Sequence, residues 1–211
     1  MCRLLAVQAS NAFPMREHLE KFATLSKNSR EFQGHGWGCA YVKEGKWEIY
    51  RNITPIWEDD LTQFGETTLL LAHARSAFRD EGIVVENNMP FVDGTHVFIF
   101  NGELRGVKIK AEGRIGAEKI FNYIKRFDTG DMLEAIKKGS AIINKRTAYV
   151  RSMNIIIAST EQVFLHTLFN QEPEYFQMHR KHDKDMHIVC SDPYPGEEWE
   201  KITNKTIEVL A

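Results

Sequence analysis

The segments of this chain that have a strand-like or helical pattern occur in one order: strands, then a pair of helices, then strands again. Apolar runs and alternating patterns predict early strands at 3–8, 37–42, 47–51, 67–74 and 97–100. The last third predicts strands at 153–158, 163–168, 187–191 and 205–210. Because no β-α-β alternation is visible and several strands follow one another closely, this order favours antiparallel sheets in an α+β fold.

Helical spacing accounts for the segments between the strands. Pro14 opens a helix that has Leu19, Phe22 and Ala23 on one face. Two further helices separate the early strands from the late ones. Their inner faces consist of Ile120, Phe121, Ile124 and Phe127 in the first, and of Leu133, Ile136 and Ile143 in the second. Since no linker or internal repeat is visible, we expect one domain over residues 1–211.

Composition excludes several classes of function. A net charge of −2 over 211 residues gives no electrostatic basis for binding nucleic acid or an anionic membrane. No apolar run reaches the ~18 residues of a membrane span, and no signal peptide is apparent. The three cysteines have no paired spacing, which argues against a disulfide framework and a Cys-x-x-Cys metal site. We therefore expect a cytoplasmic protein with reduced thiols, without a metal or a cofactor.

Cys2 follows Met1 directly and precedes a strand. Removal of Met1 would leave one residue with both a thiol and a free α-amine. The amine could accept the thiol proton, directly or through a water, and return it later to a leaving group. Packing is the alternative role, because a free cysteine in an intracellular protein is usually a small, buried residue that packs like a hydrophobic one.

Two segments place polar residues beside predicted strands. Gly36 and Gly38 flank Trp37, which permits a close approach of another backbone, although a simple turn would look the same. His73 and Arg75 end an apolar strand and are two residues apart, so both point to one side. Arg75 is suited to bidentate capture of a carboxylate, or it could form a surface ion pair. His73 suits a supporting role.

The third segment is an apolar strand that ends in Asn101-Gly102, before Glu103 and Leu104. Asn-Gly usually forms a turn. It could instead supply two donors, the Asn101 amide and the Gly102 backbone N–H, to an oxyanion formed when a thiol attacks a carbonyl.

Together and in this order, the motifs Met-Cys, Gly-Trp-Gly, Ala-His-x-Arg, Asn-x-Pro-Phe and Asn-Gly-Glu-Leu resemble the class II glutamine amidotransferases. These enzymes are N-terminal-nucleophile hydrolases, and the similarity is greatest to their stand-alone, single-domain members. The resemblance implies a four-layer αββα sandwich with two stacked antiparallel sheets. It also implies that Cys2 is the nucleophile, that Asn101 and Gly102 form the oxyanion hole, and that Arg75 holds a carboxylate. Within it we assign Ser76, His73 and Trp37 to substrate binding beside Arg75.

Two positions depart from the family pattern. Met89 stands before Pro90-Phe91, where the family often has a histidine. Gly116 stands where the family usually has an aspartate for the substrate α-ammonium, and Glu118 could replace it only with a different backbone. An unpaired ammonium in the pocket would be costly, so free glutamine need not be the substrate.

The sequence leaves several functions open. The first is an amide hydrolase that acts on glutamine or a γ-glutamyl compound through a Cys2 thioester. The second is a glutaminase subunit that passes ammonia to a synthase partner on another chain. The third is a binding module of the same fold that has lost its substrate.

A histidine-rich stretch contains His179, His182 and His187 and invites interpretation as a metal site. Many charged residues surround it, so a solvated loop is the preferred interpretation.

Overall fold

The computed structural model describes residues 1–77 and 81–210. The strands are β1 (Arg3–Pro14), β2 (Trp37–Lys43), β3 (Lys46–Asn52), β4 (Glu66–Ala74), β5 (Phe91–Val92), β6 (Val97–Val107), β7 (Thr147–Ala158), β8 (Val163–His166), β9 (His179–Asp183), β10 (Met186–Cys190), β11 (Glu200–Lys201) and β12 (Ile207–Leu210). The helices are α1 (Met15–Lys27), α2 (Gly116–Lys125), α3 (Met132–Lys145) and α4 (Pro173–Phe176). Residues 78–80, in the connection after the predicted strand 67–74, and residue 211 lie outside the described residues.

The strands form two antiparallel sheets. Sheet A has the order β11-β9-β10-β1-β4-β2-β3, and sheet B has the order β12-β8-β7-β6-β5. Neighbouring strands pair in antiparallel register throughout both sheets. The expected antiparallel α+β architecture is therefore confirmed.

Alternation along the strands builds two apolar layers around sheet A. In β1, Leu4 belongs to the core between the sheets, whereas Leu5 belongs to the core under α1. In β4, Leu71 belongs to the core between the sheets and Leu70 to the core under α1. Successive strand residues point to opposite faces, so a strand buried on both sides reads as a continuous apolar run. Full burial of each such leucine contributes roughly 1.5–3 kcal/mol.

The helices cover the outer faces of the two sheets. α1 packs on sheet A against β1 and β4, and α3 packs on sheet B against β7, β8 and β12. α2 lies against α3, and its Phe121 stacks on Phe98 of β6 with ring centroids 4.9 Å apart. Asp131 caps α3 by accepting a hydrogen bond from the Glu134 backbone N–H. These layers make the expected four-layer αββα sandwich.

Two local expectations were wrong. β6 does not end at Asn101-Gly102 but continues to Val107, and its pairing with β7 shifts register between Glu103 and Leu104. The irregularity bends the strand instead of ending it. The histidine-rich stretch is a hairpin of β9 and β10 and not a loop. Among the described residues, no helix is long and apolar enough to span a membrane.

Candidate active site

The pairing of β1 with β4 brings the start of the chain beside Arg75. Arg3 lies opposite Ala74 in this antiparallel pair, so Cys2 and Arg75 extend from the same end of sheet A. Alternation places Cys2 on the same face as Leu4, which faces sheet B. His73 and Arg75 share the face of Leu71, which also faces sheet B. Cys2, His73 and Arg75, which the resemblance groups together, thus lie at one end of sheet A on its face toward sheet B.

Cys2 is half-buried, and its Sγ lies 3.7 Å from the Ser76 carbonyl oxygen, toward which the thiol donates. Burial raises the pKa of the Cys2 thiol above its usual value. The N-terminal ammonium, the Ser76 backbone contact and the Arg75 guanidinium act in the opposite direction on that pKa, whereas Glu31 raises it further. The thiol therefore needs an adjacent base to become a nucleophile.

The Arg75 side chain is buried and is held by the segment that follows it. Its Nη1 donates to Asn88 Oδ1 at 3.0 Å and to the Val84 carbonyl at 3.4 Å, and its Nη2 donates to the Gly82 carbonyl at 2.8 Å. Burial lowers the pKa of the guanidinium. Its Nε–H and second Nη2–H have no partner in residues 1–77 and 81–210, and this edge can receive a carboxylate with two parallel hydrogen bonds.

Gly36 permits the segment that holds Arg75 to pack closely on β2. It has φ of +101°, and a Cβ atom there would overlap Asn88 Nδ2. Asn88 donates to the Asn52 carbonyl at 2.7 Å while its Oδ1 accepts from Arg75. The close approach predicted for the glycines beside Trp37 therefore serves to fix Asn88, and through it Arg75.

Asn101 and Gly102 lie inside β6, directly across from sheet A. Because Phe98 faces α2, alternation turns Asn101 toward the strands that carry Cys2 and His73. Asn101 is fully buried, and neither its amide nitrogen nor its amide oxygen has a partner among the described residues. Gly102 packs so closely on the Ser152 carbonyl that a Cβ atom would overlap it. A buried amide without a partner is rare and suits a donor that meets its acceptor in a complex.

A cavity of about 880 Å³ joins several of these groups. Cys2, Arg75, Ser76 and Gly102 line it. Asn101 and His73 are buried directly behind the lining residues and are not part of the cavity wall. Burial, with the charge of Arg75, lowers the pKa of His73 to about 3, so its imidazole is neutral at physiological pH.

Trp37 is not brought to the cavity. Its ring packs on Tyr50 and Phe64 at centroid distances of 5.3 and 5.7 Å, in the core under α1. Its Nε1–H donates to Asp59 Oδ2 at 2.7 Å. The Trp37 side chain thus stabilises the outer face of sheet A.

The two positions that depart from the family pattern both line the cavity. Met89 is buried in its wall, and Gly116 begins α2 with open space where a Cβ atom would lie. Glu118 does not replace an acid at Gly116, because its carboxylate pairs with Arg114 at 2.6 Å. The rest of the lining comes mainly from β6, α2 and the segment between them. Most of these residues are apolar (Leu104, Val107, Ile109, Ala111, Ile115, Ala117 and Ile120), and the charged residues Glu103, Arg105, Arg114 and Lys119 lie among them.

The histidines of the β9–β10 hairpin do not form a metal centre with other ligands. His182 and His187 pack edge to face with ring centroids 4.5 Å apart. No group of three or more potential metal ligands occurs in the part of the chain that the structure describes.

Three residues around Met1 were missed by the sequence analysis. Gln33 Nε2 and Tyr175 Oη donate to the Met1 carbonyl at 2.7 and 2.5 Å, and the Glu31 carboxylate pairs with the Met1 ammonium. Gln33 lies in the irregular segment before β2 and Tyr175 in the short helix α4. No periodic pattern or motif marks either residue, so no signal in the sequence could have found them.

Three solved structures resemble this fold over most of the chain. Glutamine phosphoribosylpyrophosphate amidotransferase from B. subtilis, solved with ADP and GMP, has a TM-score of 0.66 and 13% identity over 90% of this chain, but this chain covers only 42% of it. A glutamine aminotransferase class-II domain protein from Silicibacter pomeroyi has a TM-score of 0.63 and 12% identity, with 99% of this chain and 94% of that one covered. A predicted glutamine amidotransferase from Pseudomonas aeruginosa has a TM-score of 0.59 and 15% identity, with coverages of 99% and 97%.

No family sequence profile and no curated protein matches the chain by sequence. The structural similarity shows that the chain has the fold of the class II glutamine amidotransferase domains. Two of these similar proteins are close to this chain in length, as their coverages indicate. At such low identity the likeness concerns the fold, and chemistry has to be argued from the site.

Proposed function

We propose that this protein is a cysteine-dependent amide hydrolase that acts on the side-chain amide of glutamine or of a γ-glutamyl compound. One observation carries the proposal. Cys2, Arg75 and Gly102 of β6 line one cavity. A nucleophile, a carboxylate-binding cation and an oxyanion donor are the parts that acyl transfer from an amino-acid amide requires.

The reaction begins with binding of the substrate carboxylate to Arg75. In the chain without Met1, the α-amine of Cys2 takes the thiol proton, and Sγ attacks the amide carbonyl carbon. The carbonyl oxygen gains negative charge, which the Asn101 amide and the Gly102 N–H stabilise. The C–N bond then breaks, and the leaving nitrogen takes the proton held by the amine. Water attacks the resulting thioester, which releases a carboxylic acid and restores the thiol.

The cavity favours a γ-glutamyl amide over free glutamine. Pockets of ~300–1,000 Å³ enclose drug-sized ligands, and this one, at about 880 Å³, has mostly apolar residues in the lining from β6 and α2. Gly116 offers no anion to a substrate ammonium, and the Glu118 carboxylate is paired with Arg114. A larger leaving amine would gain contacts that position the reacting carbonyl when the ammonium contact is missing.

Release of ammonia to an acceptor synthase on another chain is the alternative outcome of the same chemistry. It needs the same four groups, Cys2, Arg75, Asn101 and Gly102, and differs only in where the nitrogen goes. In either case the free thiol of Cys2 requires a reducing compartment such as the cytoplasm.

The decisive experiment combines intact mass spectrometry with a glutamine-analogue electrophile. The mass of the purified protein reports whether Met1 is removed, and the adduct reports whether Cys2 reacts. We expect one adduct, on Cys2, in the chain that lacks Met1. Equal turnover of glutamine or γ-glutamyl amides by the chains with and without Met1 would show that the Cys2 amine is not the base.

A further inference from the structure

The peptide bond before Cys2 is enclosed by two buried hydrogen-bond donors. Gln33 Nε2 and Tyr175 Oη converge on the Met1 carbonyl oxygen at 2.7 and 2.5 Å. Gln33 is 1% exposed and Tyr175 is 3% exposed, and they come from distant parts of the chain. Two buried side chains thus meet at the atom that is lost when Met1 is removed.

Further contacts fix both groups in their present orientation. The Glu31 carbonyl at 2.7 Å and Tyr175 Oη at 3.1 Å are also within hydrogen-bond distance of Gln33 Nε2, whose two hydrogens are shared among these acceptors and the Met1 carbonyl, while its Oε1 has no partner among the described residues. The Arg3 guanidinium lies over the Tyr175 ring, 4.2 Å from its centroid. Burial raises the pKa of Tyr175 above its usual value, so the phenol keeps its proton and remains a donor.

Removal of Met1 takes away the acceptor and leaves both donors in place. A buried donor without an acceptor is costly, so the site favours a new acceptor there. The freed α-amine of Cys2 now lies next to the emptied position. A water molecule bound there would accept a hydrogen bond from Tyr175 Oη, donate one to the amine and keep its second lone pair for the thiol, while Gln33 Nε2 donates to Tyr175 Oη at 3.1 Å and holds it in place. Its three polar partners, Tyr175, the amine and the thiol, are within the range of 2–4 typical of buried waters.

Proton transfer within Cys2 needs such a water on geometric grounds. Direct transfer from the thiol to the amine of the same residue closes a small ring, and hydrogen bonds weaken steeply below an angle of ~120°. An intervening water enlarges the ring and straightens both hydrogen bonds. It gives one proton to the amine as it receives one from the thiol, so the net change is one proton moved from sulfur to nitrogen.

We propose that Gln33 and Tyr175 are positioning residues that hold a proton-relay water beside the Cys2 α-amine in the chain that lacks Met1. This inference rests on the proposed function and adds two residues to its machinery. Neither residue touches the substrate in this scheme. They act on the nucleophile through the water that they orient.

The test uses full-length chains that begin at Cys2, generated by a protease that cleaves immediately before it, so that methionine trimming is not a variable. Gln33→Met and Tyr175→Phe remove one donor each with little change in shape, and a double variant removes both. Gln8→Met and Tyr149→Phe are the matched controls, because those side chains make similar hydrogen bonds to Glu161 and Gln171 away from the site. L-Glutamine and L-γ-glutamyl-p-nitroanilide are the probes.

We expect each site variant to lower kcat by about 10- to 100-fold, at or below the low end of the general acid–base range. KM should stay within about twofold, and the rate of Cys2 alkylation by iodoacetamide should fall with kcat. Because both donors hold one water, the double variant should lose much less than the product of the two single effects. The control variants should match the parent.

Unchanged kcat in both single variants, or fully multiplicative losses in the double variant, would overturn the relay. A folded-state check by near-UV circular dichroism accompanies each variant, and if Tyr175→Phe does not fold, Gln33→Met alone still decides by its kcat and alkylation rate. Failure of the proposed function has a different signature. In that case the parent chain itself hydrolyses neither probe, and Cys2 resists the glutamine-analogue electrophile.

Discussion

Cys2, which directly precedes β1, and Cys190, the last residue of the neighbouring strand β10, lie in opposite environments. In the pairing of β1 with β10, Cys190 stands opposite Leu5 and shares the core under α1, where burial raises the pKa of its thiol to about 12. Cys2 belongs to the other face of β1 and lines the cavity beside Arg75. A cysteine is therefore a packing group at position 190 and a candidate nucleophile at position 2. The difference comes from the face of sheet A on which each side chain lies and from the position of Cys2 at the end of that sheet.

The largest effect should come from exchanging the nucleophile. Cys2→Ser should lower kcat/KM for a γ-glutamyl amide by on the order of 10⁴-fold or more, as for other covalent nucleophiles. Cys190→Ala, which leaves the cavity intact, should retain most of the activity. The measurement is steady-state hydrolysis together with the mass of the electrophile adduct. Labelling of Cys190 in the folded parent would break the contrast between the two thiols.

The next largest effect on activity should come from one of two asparagines that form a cross-strand pair, Asn101 of β6 and Asn154 of β7. Asn101 makes no hydrogen bond to the described residues, whereas Asn154 bonds to Phe176, Thr167 and Leu168. Asn101→Ala should lower kcat by about 10²–10³-fold, as loss of an oxyanion donor does elsewhere. Asn154→Ala should instead lower the melting temperature. Thermal denaturation and steady-state kinetics of both variants separate a catalytic role from a structural one. A large fall in melting temperature for Asn101→Ala with kcat preserved would show that Asn101 is structural and not an oxyanion donor.

Arg75→Lys tests the carboxylate clamp. Lysine keeps the charge but loses the planar fork, so substrate capture should weaken by about 1.5–3 kcal/mol in kcat/KM. Alkylation of Cys2 by a small neutral reagent should change little, because that reaction needs no clamp. Arg105→Lys is a control in another part of the cavity lining, where the arginine pairs with Glu103. An unchanged KM and kcat/KM in Arg75→Lys would remove Arg75 from the site.

The smallest predicted effect is a gain of activity toward free glutamine. Gly116→Asp places a carboxylate into open space on the cavity wall and should raise kcat/KM for free glutamine relative to γ-glutamyl amides. Glu81, an exposed carboxylate that also lines the cavity, is the alternative partner of a substrate ammonium. If the parent hydrolyses glutamine efficiently and Glu81→Gln abolishes this while Gly116→Asp changes nothing, Glu81 holds the ammonium.

Strand periodicity, helix periodicity and element order predicted antiparallel sheets in an α+β fold, and the resemblance to the class II glutamine amidotransferases added the four layers. The sequence prediction failed where a local signal competes with tertiary pairing. Asn101-Gly102 has turn chemistry, but the pairing with β7 and a register shift carry the strand through it. The strand at 187–191 was predicted and corresponds to β10, but the charged residues of β9 suggested a loop. A strand close to the edge of a sheet can carry charged side chains and still keep its backbone hydrogen bonds.

The candidate site divides in the same way. Cys2, Arg75 and Gly102 could be grouped because several short motifs occur together in an order that resembles one family. Trp37 was grouped with them through the Gly-Trp-Gly motif of the same resemblance, yet alternation along β2 turns its ring to the opposite face of the sheet. Gln33 and Tyr175 meet Met1 only through the folding of distant segments, which no local pattern encodes.

The enclosure of Met1 has a practical consequence for how the protein is produced. The Met1 ammonium is paired with Glu31, and Met1 itself lines the cavity. An affinity tag ahead of Met1 would therefore have to pass Gln33 and Tyr175 or occupy the space of the substrate. Such a fusion would also hide the Cys2 amine. A tag used in enzymology therefore belongs after β12, a strand at the edge of sheet B.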